Sequence, residues 1–164
     1  LLAEGEQPIG ARLGVRLQVP TVLAAEEGGK HLGGMITALD LRYPMSDDHP
    51  LTGRRVPDVD LKTGDGRRRV FELLRTARPV LLDLRGDTAL AATAESWADR
   101  VDLVEARSTA DHWPVWPAGE APAPAALLIR PDGHVAWTAR AGTTPDPAAL
   151  RTALTAWFGP ATAD

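Results

Sequence analysis

The 164-residue chain contains no cysteine. That absence excludes disulfides, thiolate zinc sites, iron–sulfur clusters and every reaction that needs a thiol. It fits a reducing compartment, and the expected location is the cytoplasm. Lysine is nearly missing too, with two lysines against sixteen arginines, a bias that usually follows GC-rich coding. No apolar run approaches the ~18 residues a membrane helix requires. Leu1-Leu2-Ala3-Glu4 has neither the basic n-region nor the apolar h-region of a signal peptide. The chain does not start with Met, which reads as processing or as a piece of something longer. Positive charge is not in excess: the formal net charge is −4. The basic run Gly66-Arg67-Arg68-Arg69 is short and isolated, so it reads as a solvated face and nucleic acid is not an expected partner.

What is present suits a soluble globular protein. The chain is 44% hydrophobic and 24% charged, enough for one core. Its length suits one domain with an appended arm. Residues 1–50 read as the arm. Ile9, Leu13 and Leu17 suggest a short amphipathic helix, interrupted by Pro20. Leu32, Met35, Ile36 and Leu39 then follow the i, i+3, i+4, i+7 pattern of one helical face. Such a stripe must bury itself against something, so these four residues are candidate contacts with another domain. "SDDHPLTGRRVPD" is a polar, turn-rich connector, and the domain boundary is placed near residue 50.

The domain at 51–164 alternates strands and helices. "VDLKT" predicts a strand, Gly64-Asp65-Gly66 a turn, and "RVFELLR" a helix with Val70, Leu73 and Leu74 inward. "PVLLDL" is nearly continuous in apolar residues, as in a strand covered on both faces. "TALAATAESWAD" predicts a helix and "VDLVEA" a strand. "HWPVWPAGEAPAPA" reads as a proline-rich loop. "ALLIR-PDG-HVAWTAR" predicts a hairpin turning at Asp132-Gly133. The last helix is expected after Thr144 or Asp146, with Leu150, Leu154 and Trp157 as its buried stripe and Gly159-Pro160 as its stop. The expected class is α/β: a mixed sheet flanked by helices.

Few residues invite chemistry. No two of His31, His49, His112 and His134 have metal-ligand spacing, and Asp47-Asp48-His49 reads as a surface loop. None of the three serines lies in G-x-S-x-G, and no Walker A sequence occurs. Trp113 and Trp116 stand out among prolines. They could stack on a ligand or hold a partner, though burial at the end of the sheet is favoured. Trp97, Trp137 and Trp157 are expected in the core. Arg85 could meet an anion at the following helix, but helix capping by Asp87 or Thr88 is favoured there.

Two resemblances attach to these motifs. "LTGRRVPDVDLKTGDGRRRVFELLRTARPVLLDL" and "PAALLIRPDGHVAW" resemble peroxiredoxin-like members of the thioredoxin superfamily, with Pro124 where their cis-proline would be. The reactive thiol of such enzymes would fall in "RGDT", at 85–88, where this chain has none. More specifically, "GGMITALDLRYPMSDDHPLTGRRVPDVDL", "RVFELLRTARPVLLDL", "ALLIRPDGHVAW" and "LTAWFG" resemble the C-terminal third of FAD-dependent aromatic hydroxylases. These are of the para-hydroxybenzoate hydroxylase class, in its polyketide branch. The resemblance implies a cysteine-free thioredoxin-like domain at 51–164, preceded by a helical arm that ends the middle, substrate-binding domain at Tyr43-Pro44. It implies FAD, NAD(P)H and an aromatic small-molecule substrate for the whole enzyme, and N-terminal FAD and substrate domains as partners. A homo-oligomer is a further partner it leaves open. The family's G-x-G-x-x-G fingerprint, and the Gly-Asp motif that contacts the flavin ribityl and pyrophosphate in that family, have no counterpart in this sequence. No catalytic, cofactor or metal residue is therefore assigned to this segment. The competing reading is a free-standing, redox-inactive thioredoxin-like module that binds a partner through Trp113 and Trp116.

Overall fold

Four residues, Val80–Asp83 (β3), run through the middle of the protein with every side chain buried, as their unbroken apolar sequence predicts. The computed structural model describes residues 41–45, 47–117 and 119–162. The expected arm helix with Leu32, Met35, Ile36 and Leu39 lies outside the described residues. A compact unit extends over Leu41–Asp164, so it takes in residues ahead of the connector at 50.

Around β3 the sheet has the order β2-β1-β4-β3-β7-β8. Its other strands are β1 (Asp60–Thr63), β2 (Gly66–Arg69), β4 (Asp102–Ser108), β7 (Ala126–Ile129) and β8 (Val135–Ala139). β3 and β4 are parallel, and the other neighbours pair antiparallel, which makes the sheet mixed. The helices are α1 (Val70–Leu73), continued by a 3-10 turn at Leu74–Thr76, then α2 (Thr88–Glu95) and α3 (Pro147–Phe158). One sheet face packs Leu61, Leu82, Leu127 and Ile129 against Val70, Leu73 and Trp113. The other packs Leu81 and Leu128 against Leu90 and Trp97, and against Leu150 and Leu154 of α3.

Local chemistry sets the ends of the elements. The Asp87 carboxylate accepts from the Ala89 and Leu90 N–H groups and starts α2. Asp146, rather than Thr144, caps α3, with Pro147 in the first turn. Gly133 takes φ +81°, the left-handed conformation its Asp-Gly turn needs.

Four expectations are corrected. Residues 66–69 form the edge strand β2, so only Val70–Leu73 of "RVFELLR" is α-helical. The two-residue loop Gly64-Asp65 closes a hairpin, and its ladder takes the arginines up to Arg69. The proline-rich loop is a second, two-stranded sheet, β5 (His112–Val115) against β6 (Gly119–Pro122). Both its strands are edges, where a proline's missing N–H leaves no ladder bond unmade. Trp157 is 39% exposed and lies against Arg130 instead of completing the buried stripe of α3. Among the described residues the cis peptide bond is Trp116-Pro117, not the one before Pro124.

Asp47-Asp48-His49 is a strap rather than a surface loop. His49 is buried. Asp47 accepts from Thr52 Oγ1 at 3.1 Å, from the His49 N–H at 2.8 Å and from Thr138 Oγ1 on β8. The strap then runs along the edge of the sheet: the Gly53 N–H donates to Val135 O, and the Val135 N–H donates to Arg54 O, both at 2.9 Å. One edge of the sheet is thereby sealed.

The strap makes stability depend on pH. Burial lowers the His49 pKa from 6.5, and Arg140 adds to this, against opposing pulls from Asp47 and Asp48. His49 Nδ1 also accepts the Leu51 N–H at 3.2 Å, a bond that protonation there would break. Burial acts to raise the Asp47 pKa, but the bonds from Thr138, His49 and Thr52 outweigh it and hold the carboxyl below 3.8. Both folded values lie below the unfolded ones, so each group's stabilisation is complete above its ordinary pKa and is lost as pH falls through the lowered one. The melting temperature is expected to drop between pH 7 and 5 through His49, and again below pH ~4 through Asp47. His49→Asn keeps an acceptor and should abolish only the first drop. A parent protein whose melting point is level from pH 7 to 5 would refute this.

Candidate functional site

The loop after β3 is where a thiol enzyme of this architecture would place its nucleophile. Here the Asp83 carboxylate, 1% exposed, turns back and fills that loop. It accepts from the N–H groups of Arg85 at 2.8 Å, Gly86 at 2.9 Å and Asp87 at 2.6 Å. Asp87 takes the next N–H groups at the start of α2. Backbone donors that could hold a phosphate are thus occupied by the protein's own carboxylates. Nothing in the sequence separated Asp83 from an ordinary strand-end residue. What marks it is its place, late in an apolar run and just ahead of Leu84-Arg85-Gly86-Asp87.

Tyr43 sits in a second cluster. Its ring meets His134 edge-on at 5.0 Å, and the Arg130 guanidinium lies 5.0 Å from its centroid. Arg130 also stacks 4.2 Å from the Trp157 centroid, so the cation is held between two aromatic rings. Asp132 pairs with Arg130 and lies 3.4 Å from His134 Nδ1. The arrangement fastens the strap to the β7–β8 turn and to the end of α3. Neither His134 ring nitrogen has a hydrogen-bond partner among the described residues.

Trp113 and Trp116 part company. Trp113 is fully buried, and its indole N–H donates to Ser108 Oγ at 2.9 Å. Trp116 is 38% exposed at the tip of the β5–β6 hairpin, so it alone of the pair presents a face. Among the described residues no group of three His, Cys, Asp or Glu side chains could hold a metal, and no helix is long and apolar enough to cross a membrane.

The family model for the C-terminal region of aromatic-ring hydroxylases matches residues 49–161. The chain belongs to this aromatic-ring hydroxylase C-terminal family. Among curated relatives, it is 46% identical over 147 residues to the 12-dehydrotetracycline 5-monooxygenase/anhydrotetracycline 6-monooxygenase of Streptomyces rimosus, covering 90% of this chain and 28% of that protein. It is 37% identical over 149 residues to the rifampicin monooxygenase of Streptomyces venezuelae, covering 91% and 26%. Among solved structures it resembles the anhydrotetracycline hydroxylase OxyS of Streptomyces rimosus, with a TM-score of 0.78 and 43% identity over 93% of this chain and 30% of that one. This hydroxylase C-terminal domain therefore spans less than a third of the relatives' length. It is shared by monooxygenases named for different antibiotic substrates.

Proposed function

We propose that this chain is the C-terminal structural part of a cytoplasmic, FAD-dependent monooxygenase that hydroxylates a polyketide-type aromatic ring with NAD(P)H and O2. The observation that carries this is the match along nearly the whole chain to monooxygenases of tetracycline and rifampicin chemistry. The flavin, when bound, supplies the oxygen-activating chemistry. The loop after β3 gives its pyrophosphate no backbone cradle, because Asp83 and Asp87 already accept the N–H groups there. Flavin and substrate then belong to chain upstream of residue 41, and the domain's work is support. The strap supplies it, tying the chain that enters at Leu41 to β8 and α3 through Asp47, Gly53 and Tyr43.

The full-length protein tests this reading. Purified from its native gene, it should show a flavin absorption spectrum. With an aromatic polyketide such as anhydrotetracycline it should consume NAD(P)H and O2 and yield a product heavier by one oxygen atom. A full-length protein that binds no flavin would sink the proposal. A start codon immediately before Leu1 would favour the free-standing module instead.

A further inference from the structure

The basic run on β2 acquires a second meaning from the ladder. Leu61 and Ala106 point into the core, so their neighbours Lys62 and Arg107 point to the opposite face. Lys62 stands directly opposite Arg67 on one side and Arg107 on the other. Three cations thus form one row across β2, β1 and β4, ~10 Å long at the usual strand spacing. Like charges directly opposite each other destabilise a ladder. Arg85, from the loop after β3, lines an open groove of about 330 Å³ together with Lys62 and Arg107, and Arg67 stands beside Lys62 across the ladder.

Among the described residues nothing covers this half of the face. The layer of α2 and α3 covers Leu81 and Leu128 but leaves Leu103, Glu105 and Arg107 of β4 exposed. Other arginines have an acidic partner, as Arg68 with Asp65, Arg69 with Asp58, Arg78 with Asp102 and Arg140 with Asp48, while Arg55, Arg75 and Arg151 stand singly and far apart in the sequence. Lys62, Arg67, Arg85 and Arg107 have no ion pair or hydrogen bond from their side chains among the described residues. Glu105 is the acid lining the groove, and Asp60 on the same face stands opposite Arg69, so positive charge remains in excess. Protection of the open sheet edge accounts for charges on β2. It does not account for Lys62 and Arg107, which lie one and two strands inside.

We propose that this groove binds a diphosphate group, free or carried on a nucleotide. Arginine forks match phosphate oxygens bidentately. A row of three cations with a fourth alongside suits two linked phosphates better than one carboxylate. Gly64 and Gly86, which line the groove, have open space where a Cβ would stand, which leaves room for a ligand held by the cationic side chains, the Gly86 N–H being already taken by Asp83. The proposal is independent of the oxidative reading above.

Calorimetric titration of the full-length protein at low ionic strength tests it, with inorganic pyrophosphate, ADP, and sulfate at matched ionic strength. Pyrophosphate should bind, sulfate should bind far more weakly, and Lys62→Gln/Arg107→Gln should weaken pyrophosphate by about tenfold or more. Arg68→Gln, whose partner is Asp65, should leave it unchanged. All three positions are exposed, so these variants should keep the parent's melting temperature. ADP binding as tightly as pyrophosphate upholds a site that reads diphosphate alone, and tighter ADP binding upholds one that reads a nucleotide. No pyrophosphate binding, sulfate binding as tightly, or an equal loss in Arg68→Gln would overturn the proposal. Binding of polyglutamate but not pyrophosphate would also overturn it and assign the face to an acidic protein.

Discussion

Gly53→Ala is expected to release the strap from the sheet. Gly53 has φ +79°, and a Cβ there would stand 2.2 Å from Tyr43 O and 3.2 Å from Tyr43 C and N. The obstacle is backbone, so no side chain can swing aside. The same glycine accepts the Tyr43 N–H at 2.9 Å and donates to Val135 O at 2.9 Å. Moving it breaks one or both bonds and pulls Tyr43 from Arg130. The left-handed conformation adds ~1–2 kcal/mol for any residue with a Cβ. A total loss of ~3 kcal/mol or more follows, read as a lower urea midpoint. Hydrogen exchange should accelerate at Val135, whose N–H would lose Arg54 O. Gly64→Ala is the control: nothing lies within 4 Å of its Cβ, and stability should change by less than ~0.5 kcal/mol. Equal midpoints for Gly53→Ala and the parent would show that the strap contributes nothing.

Asp83→Ala carries the second large effect. The substitution strips the acceptor from three N–H groups, of Arg85, Gly86 and Asp87. Donors left unpaired cost ~1–3 kcal/mol each when buried; these three are only part-buried, so water recovers much of that and a net loss of ~2–3 kcal/mol is expected. Asp83→Asn keeps one carbonyl acceptor and should fall between parent and alanine. Hydrogen exchange at residues 85–87 should speed up together, because one carboxylate serves all three. A loss below ~1 kcal/mol for the alanine variant would mean that the loop holds itself without Asp83.

These two residues also mark where reading the sequence stopped short. β3 was legible because a strand buried on both faces has a continuous apolar sequence. The last helix was legible because Asp146-Pro147 and Gly159 are strong local signals, and the β7–β8 turn because Asp-Gly has few other uses. β2 was hidden, since Gly-Arg-Arg-Arg has no alternation: its register comes from β1. β5 and β6 were hidden by prolines, which argue against strands in a central sheet but not in a two-stranded ribbon. Trp157 fitted the helical stripe by spacing, yet Arg130 offers it a cation on the outside. The strap was the least legible part. Asp47, Asp48 and His49 look like a solvated turn until Thr138 and Arg140 are brought to them from 91 and 92 positions away. The same distance effect hid the anion groove, whose lining cations Lys62, Arg85 and Arg107 come from three separate segments.

The sealed edge at β8 has a consequence for how this protein is made. Thr52 precedes its partner Thr138 by 86 positions, so during synthesis the strap is already outside the ribosome when β8 emerges. The strand thus has its cover available when it forms. The opposite edge emerged earlier with three consecutive arginines on it, and a neighbouring nascent copy would bring the same charges. Between them, a cover on one edge and a repulsive rim on the other oppose growth of the sheet from chain to chain.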